Sequence, residues 1–121
     1  MSDSNSPQVV MVTGNLLGAS RVSGELRSHA IRFRVARDLQ QFNEIPRDAL
    51  LAVVLDLEGP VDAATLAASL GEMQVERVAF GPHVDTERLA AAEAAGWNVM
   101  SRGSFDSAVG DLARQWAELA R

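Results

Sequence analysis

The chain has 121 residues, of which 47% are hydrophobic, and its formal net charge is −5. This length is typical of a single domain with a hydrophobic core. No apolar run is long enough to span a membrane. The basic residues are scattered singly along an acidic chain, and this pattern disfavours binding to nucleic acid or to an anionic membrane.

Three residue types are missing, and each absence excludes a class of chemistry. Without cysteine there are no disulfides, thiolate metal sites or cysteine nucleophiles. All eleven basic residues are arginine, and tyrosine is also absent. Lysine Schiff bases, Walker-type phosphate loops and Tyr/Lys acid–base pairs are therefore excluded. Residues 1–7 are polar and lack the layout of a signal peptide, so we expect a disordered lead before one cytoplasmic domain over residues 8–121.

The first half of the chain alternates strand and helix patterns. Residues 8–13 form a continuous apolar run, which indicates a buried strand. Apolar residues recur at three- and four-residue steps from position 16 to about 30, as expected for a helix. Residues 31–35 alternate, as an edge strand with one wet face would. Residues 38–49 predict a turn or two of helix, which Pro46 ends.

Residues 50–56, with the sequence LLAVVLD, predict the central strand of the sheet. A run that is apolar on both faces is typical of a parallel strand covered by helices on each side. Asp56 ends this run and is followed by a turn signal at Gly59 and Pro60. Ligand chemistry in an open α/β sheet collects at the carboxyl ends of strands, so Asp56 is the first candidate site residue.

The second half repeats the alternation. Asp62 is a candidate cap for a third helix, and a strand over residues 75–80 follows. Asp85 or Thr86 would cap a fourth helix, a short strand follows over residues 98–101, and Ser104 or Asp106 would cap the last helix. Five strands alternating with five helices predict a doubly wound α/β sandwich with flavodoxin-like strand order 2-1-3-4-5.

With these elements in place, the chain resembles a bacterial response-regulator receiver domain over nearly its full length. The segment Asp56-Leu57-Glu58-Gly59-Pro60 is similar to the phosphoacceptor segment of receivers, and Ala94-Ala95-Gly96 is similar to the end of their fourth helix. The resemblance implies a place in two-component signalling or a phosphorelay, with Asp56 at the phosphoacceptor position.

The other functional positions of receivers are not matched. The resemblance places Thr13 and Gly14 where receivers carry the acidic pair that holds Mg²⁺, and Gly81 where they carry Ser or Thr. Arg102 or Gly103 stands at the lysine position, and Val99 or Met100 at the aromatic switch position. These departures indicate a degenerate receiver whose pocket is formed by the residues Thr13, Gly14, Gly81, His83 and Arg102.

We therefore expect a stand-alone signalling module that is not an enzyme, needs no cofactor and acts through protein–protein contact. Phosphoryl transfer to a carboxylate depends on a divalent cation and fixed positive charges, which this sequence lacks. The resemblance places a homodimer or partner contact on the fourth-helix/fifth-strand face. The residues expected there are Trp97, Met100, Arg102 and Phe105.

Two other functions remain open. The turn Thr13-Gly14-Asn15 resembles a flavodoxin phosphate loop, and a nucleotide or other anion could bind there at a helix N-terminus; the competing interpretation is an ordinary strand-to-helix turn. Alternatively, Asp56 is phosphorylated as in an ordinary response regulator. No metal site is expected, because His83 and Asp85 would need distant ligands and His29 is the only other histidine.

Overall fold

The computed structural model describes residues 6–121, so the first five residues of the predicted N-terminal lead lie outside the described part. Its elements follow the chain as β1 (Gln8–Val12), α1 (Leu16–Arg27), β2 (Arg32–Ala36), α2 (Leu39–Glu44), β3 (Leu50–Asp56), α3 (Ala63–Leu70), β4 (Glu76–Gly81), α4 (Thr86–Ala94), β5 (Asn98–Ser101) and α5 (Arg102–Leu119). This alternation confirms the predicted α/β class.

All five strands are parallel and lie in the order β2-β1-β3-β4-β5. The predicted flavodoxin-like order is therefore confirmed. β3 lies in the middle and spans the predicted residues, and all its residues except Leu51 are buried. Because β3 is covered on both faces, its apolar side chains need no polar alternation.

The sheet separates two hydrophobic clusters. One cluster contains the buried faces of α1 and α5, including Leu26, Val109 and Trp116. The other contains α2, α3 and α4 and includes Phe42 and Leu66. Helices therefore cover both faces of the sheet in three layers. None of the helices within residues 6–121 is both long and apolar enough to cross a membrane.

The predicted caps Asp62 and Asp85 are confirmed, and Asp38 caps α2 in the same way. The side chains of Asp38, Asp62 and Asp85 accept hydrogen bonds from backbone amides three residues further on, which satisfies donors that the first helical turn leaves free. α2 ends before Pro46, and the intervening Ile45 is extended, as the residue before a proline prefers.

The predicted start of the last helix is wrong. Neither Ser104 nor Asp106 caps it; Ser101, the final residue of β5, accepts from the Ser104 amide, and α5 begins at Arg102. The strand therefore enters the helix without a loop. This junction resolves the sequence ambiguity, because it fixes Arg102 at the carboxyl end of β5, on the same edge of the sheet as Asp56.

Candidate functional site

Asp56 is the buried carboxylate at the centre of the carboxyl edge of the sheet. It is only 3% exposed. Its Oδ2 accepts a 2.7 Å hydrogen bond from the hydroxyl of Thr13, which follows β1, the neighbouring strand. The same hydroxyl accepts a 3.0 Å hydrogen bond from the Asn15 amide. Thr13 thus joins Asp56 to the start of α1.

The second oxygen of Asp56 is also occupied. Oδ1 accepts a 3.0 Å hydrogen bond from the Glu58 amide and lies 3.5 Å from Nη2 of Arg102. That same Nη2 forms a close ion pair with the Glu58 carboxylate. One guanidinium therefore faces two carboxylates, a buried one and an outer one, and the three side chains together carry one net negative charge.

The guanidinium of Arg102 packs against the face of an aromatic ring. Its Cζ atom lies 5.1 Å from the centroid of the Phe80 ring, a distance at which a cation is attracted to the ring face. Phe80 stacks on Phe105 with ring centroids 4.5 Å apart and an interplanar angle of 5°. Phe80 is also the β4 neighbour of Asp56 in the sheet register. Because the sheet register places Phe80 beside Asp56, the ring of Phe80 positions the guanidinium of Arg102 next to the Asp56 carboxylate.

Gly81 lies at the end of β4 and makes room for Leu57. A Cβ atom at position 81 would lie 3.3 Å from the Cβ of Leu57 and 3.5 Å from its Cδ1. Leu57 is buried, and its amide donates to the Phe80 carbonyl. The leucine side chain therefore fills the space that a larger residue at position 81 would need.

The other predicted pocket residues lie at the same edge but outside this network. Gly14 is exposed beside the turn after β3, where a Cβ added at Gly59 would lie 3.7 Å from the Gly14 amide. His83 is exposed in the loop between β4 and α4, and within residues 6–121 no hydrogen bond or ion pair joins it to Asp56. Of the predicted pocket, Thr13 and Arg102 contact Asp56.

The first turn of α1 is capped by the protein itself. Asn15 Oδ1 accepts from the amides of Leu17 and Gly18 over 3.1 and 3.3 Å. These amides are the donors that a phosphate at this helix N-terminus would use. The Asn15 side chain therefore stands where the anion of the nucleotide-binding alternative would have to bind.

Comparison with known proteins places this architecture among receiver domains. No protein-family model matches the chain, and no curated protein matches it. Solved structures do. The beryllofluoride-activated NtrC4 receiver domain dimer is 15% identical, with a TM-score of 0.69 over 90% of this chain and 98% of that one. The chain has the receiver fold.

Two further receivers give similar agreement. The Saccharomyces cerevisiae receiver domain of Ssk1, solved in complex with Ypd1, is 18% identical with a TM-score of 0.72, covering 95% of this chain and 91% of that one. The receiver domain of a Pseudomonas aeruginosa sensor histidine kinase, solved with magnesium in its active-site cleft, is 16% identical with a TM-score of 0.70, covering 93% and 98%. At these identities the agreement concerns the fold.

The residues at the receiver site do not fit the Mg²⁺ that the fold implies. The oxygens of Asp56 are engaged by a hydroxyl, an amide and a guanidinium, and Thr13 and Gly14 supply no carboxylate. No group of three or more acidic or histidine side chains suited to a metal occurs within residues 6–121. Mg²⁺ prefers carboxylate and phosphate oxygens in octahedral geometry. A guanidinium already lies 3.5 Å from this carboxylate, where a metal ion would have to bind.

Two of the predicted interface residues are core residues of the receiver fold. Trp97 is buried in the cluster under α3 and α4, and its Nε1 donates a 3.0 Å hydrogen bond to the Ala63 carbonyl. Phe105 is buried against Phe80. Neither ring is exposed as a surface anchor, and a partner contact on this face stays a prediction. Met100 and Arg102 are half-buried.

Three large apolar side chains at this end of the sheet are exposed. Leu16 is 52% exposed and Leu17 is 87% exposed in the first turn of α1, and Val84 is 75% exposed in the loop after β4. We call these three residues the apolar rim. Both segments follow strands at the carboxyl edge of the sheet. The rim thus borders the site at the end where Asp56 lies.

Sequence reasoning missed three residues that shape this site. In the sequence, Glu58 and Leu57 stand out only as members of the segment Asp56–Pro60, and Phe80 only as the end of the strand predicted over residues 75–80. Position alone could have suggested Phe80, because the predicted strand order puts the end of that strand next to the end of the central strand at Asp56. The contact between Glu58 and Arg102 spans 44 positions and has no local signal.

Proposed function

We propose that this chain is a degenerate receiver-like signalling module that acts through protein–protein contact and is not phosphorylated by the usual Mg²⁺-dependent route. The observation that supports this proposal is the state of Asp56. Its carboxylate is buried and hydrogen-bonded through both oxygens, and a guanidinium lies beside it. The aspartate therefore serves as a structural anion that links the turns after β1 and β3 to the first residue of α5.

Phosphorylation of Asp56 would oppose this arrangement. An attacking oxygen must be free and in line with the phosphorus, and the charge on the transferring group must be neutralised by metal and fixed cations. Here attack would require breaking the bond to Thr13 or to the Glu58 amide. The phosphoryl group would then meet the Glu58 carboxylate, with Arg102 shared between them.

The test is incubation of the purified chain with acetyl phosphate and Mg²⁺, followed by intact-mass measurement. We expect no added phosphate in the wild type or in the Asp56→Asn variant. A mass increase of one phosphate in the wild type that is absent from Asp56→Asn would overturn the proposal and establish the alternative of a phosphorylatable response regulator.

The partner contact is proposed for the apolar rim. Leu16, Leu17 and Val84 are three of the four large apolar side chains that are exposed within residues 6–121, and all three follow strands at the carboxyl edge of the sheet. Contact with a partner would remove this apolar surface from water. The fourth-helix/fifth-strand face is less favoured as the contact surface, because its aromatic side chains Trp97 and Phe105 are buried.

A homodimer is the form of this contact that can be tested without knowing the partner. Sedimentation velocity should show self-association of the wild type that Leu17→Ser weakens and Met100→Ser leaves unchanged. The reverse pattern would place the dimer on the fourth-helix/fifth-strand face, and a wild type that stays monomeric at its highest soluble concentration would contradict the homodimer.

The nucleotide or anion function at the Thr13–Asn15 turn has less support, because Asn15 already caps the amides of α1. A thermal-shift panel of nucleotides and flavins tests it directly. A ligand at about 100 times its dissociation constant adds about 2.7 kcal/mol of stability. We expect no shift in melting temperature.

A further inference from the structure

Glu58 forms an ion pair with the partly exposed guanidinium of Arg102. Arg102 uses one nitrogen, Nη2, for both Asp56 and Glu58, and the pair with Glu58 is the closer of the two. Asp56 is buried, whereas the Glu58 side chain is 48% exposed. Glu58 is therefore the partner of Arg102 that can be exchanged without unfolding the core.

The position of Arg102 does not depend on Glu58 alone. Its backbone is fixed as the first residue of α5 by the Ser101 cap. Its guanidinium lies over Phe80, which is itself held between β4 and Phe105. A cation that is placed by packing stays in place when its ion-pair partner leaves, so the site retains a preorganised guanidinium.

Arg88, another arginine at this edge, is already engaged. It donates from Nη1 to the Leu57 carbonyl over 3.0 Å and pairs through Nε with Asp85 over 3.4 Å. Arg102 is the arginine paired with Asp56, so it is the cation through which the site would meet an external anion. A guanidinium offers a fork of N–H donors that matches the oxygens of a phosphate.

We propose that Glu58 is an internal competitor for Arg102, an autoinhibitory contact whose carboxylate keeps phosphate-type oxyanions out of the site. With Glu58 in place, an incoming anion meets two carboxylates and one shared guanidinium, a net charge of −1. With Glu58 displaced or neutralised, Arg102 and Asp56 balance, and the outer donors of the guanidinium are free. This proposal concerns anion binding and does not depend on whether the chain signals through a partner.

The test is a titration with inorganic phosphate, followed by the chemical shifts of the Arg102 Nε–Hε group and the backbone amide at position 58. Glu58→Gln should bind phosphate at least about fivefold more tightly than the wild type, which is the effect of one like charge at roughly 4 Å in water. Glu118→Gln is the matched control. It removes the same charge from an exposed position at the far end of α5 and should bind as the wild type does.

The double variant Glu58→Gln/Arg102→Gln tests whether Arg102 binds the phosphate. It should not show the higher phosphate affinity expected of Glu58→Gln. Equal affinities of wild type and Glu58→Gln, or a double variant that binds as tightly as Glu58→Gln, would overturn the proposal. A titration of Glu58→Gln with acetate tests whether the site selects phosphate-type oxyanions. If acetate binds this variant as tightly as phosphate does, the proposed ligand class is wrong. Because no phosphotransfer is measured, a negative result leaves the proposed contact function untouched.

Discussion

The Thr13 hydroxyl donates a 2.7 Å hydrogen bond to the Asp56 carboxylate and thereby joins β1 to β3 where both strands end. Thr13 is fully buried and Asp56 nearly so. A buried carboxylate oxygen needs a donor, because its desolvation is otherwise uncompensated. The resemblance to receivers places an acidic residue at this position, whereas here the Thr13 hydroxyl supplies the donor that one oxygen of Asp56 needs.

Removing this hydroxyl should destabilise the domain. We expect Thr13→Val to lower the free energy of unfolding by about 1–3 kcal/mol, since a buried charged acceptor loses a donor while the side-chain volume is kept. Urea denaturation measures the change. Thr13→Ser, which keeps the hydroxyl, should cost less; an equal loss in both variants would show that packing of the methyl group, and not the hydrogen bond, stabilises this turn.

Gly81 and Leu57 should show a measurable coupling. Adding a methyl group at position 81 crowds a buried leucine at 3.3 Å, so we expect Gly81→Ala to cost about 1 kcal/mol or more, the usual result of overpacking. In a Leu57→Ala background the same change should cost less, because the space is vacant. A double-mutant cycle by urea denaturation gives the coupling energy. Additive single changes would show that the strand moves aside.

Ala49 should become more stable as glycine. It precedes β3 with φ at 56°, in the left-handed region where an L-residue with a Cβ is strained by about 1–2 kcal/mol. Part of the relief is offset by the greater freedom of glycine in the unfolded chain, so we expect Ala49→Gly to add up to about 1 kcal/mol. The thermal melting temperature should rise accordingly.

Its control is Ala68→Gly, at an exposed position within α3, which should lose up to about 1 kcal/mol because the backbone there is helical. A loss of stability in Ala49→Gly similar to that of the control would contradict the strain argument.

Asp62 should stabilise the domain in a pH-dependent way. The pKa of this N-cap carboxyl is lowered from its ordinary value of 3.8, chiefly by the hydrogen bond from the Thr65 backbone amide. A lowered pKa in the folded state means that the ionised form stabilises the fold above the unfolded pKa. This contribution is lost as the pH falls through the lowered value.

Thermal melts of wild type and Asp62→Ala at several pH values check this. Near neutral pH the variant should lose about 1 kcal/mol, as is usual for an N-cap. The difference should shrink below pH 3.8. Asp62→Asn, which keeps the cap without the charge, should show little pH dependence relative to Asp62→Ala. A wild-type advantage that is constant down to low pH would contradict the role of the ionised carboxyl.

The sequence predicted the elements well where the pattern was local. The strand Leu50–Asp56, the caps Asp62 and Asp85 and the strand order all follow from periodicity, capping and crossover rules. Trp97 was harder, because its position after a helix end is compatible with either a surface or a core role. Its burial depends on the gap beneath α3 and α4, where the Ala63 carbonyl accepts its indole N–H.

By itself, the sequence determined that Asp56 ends the central strand and that no lysine and no second acidic residue stands in the positions receivers use. Those are statements about residue type and spacing, and a linear pattern carries them in full. Only the tertiary structure decided what surrounds Asp56. Thr13, Glu58 and Arg102 meet there because the carboxyl ends of β1, β3 and β5 lie at one edge of the sheet. The guanidinium of Arg102 is positioned by the ring of Phe80 on β4. Contacts between positions more than 40 residues apart depend on side-chain packing, which no local pattern records.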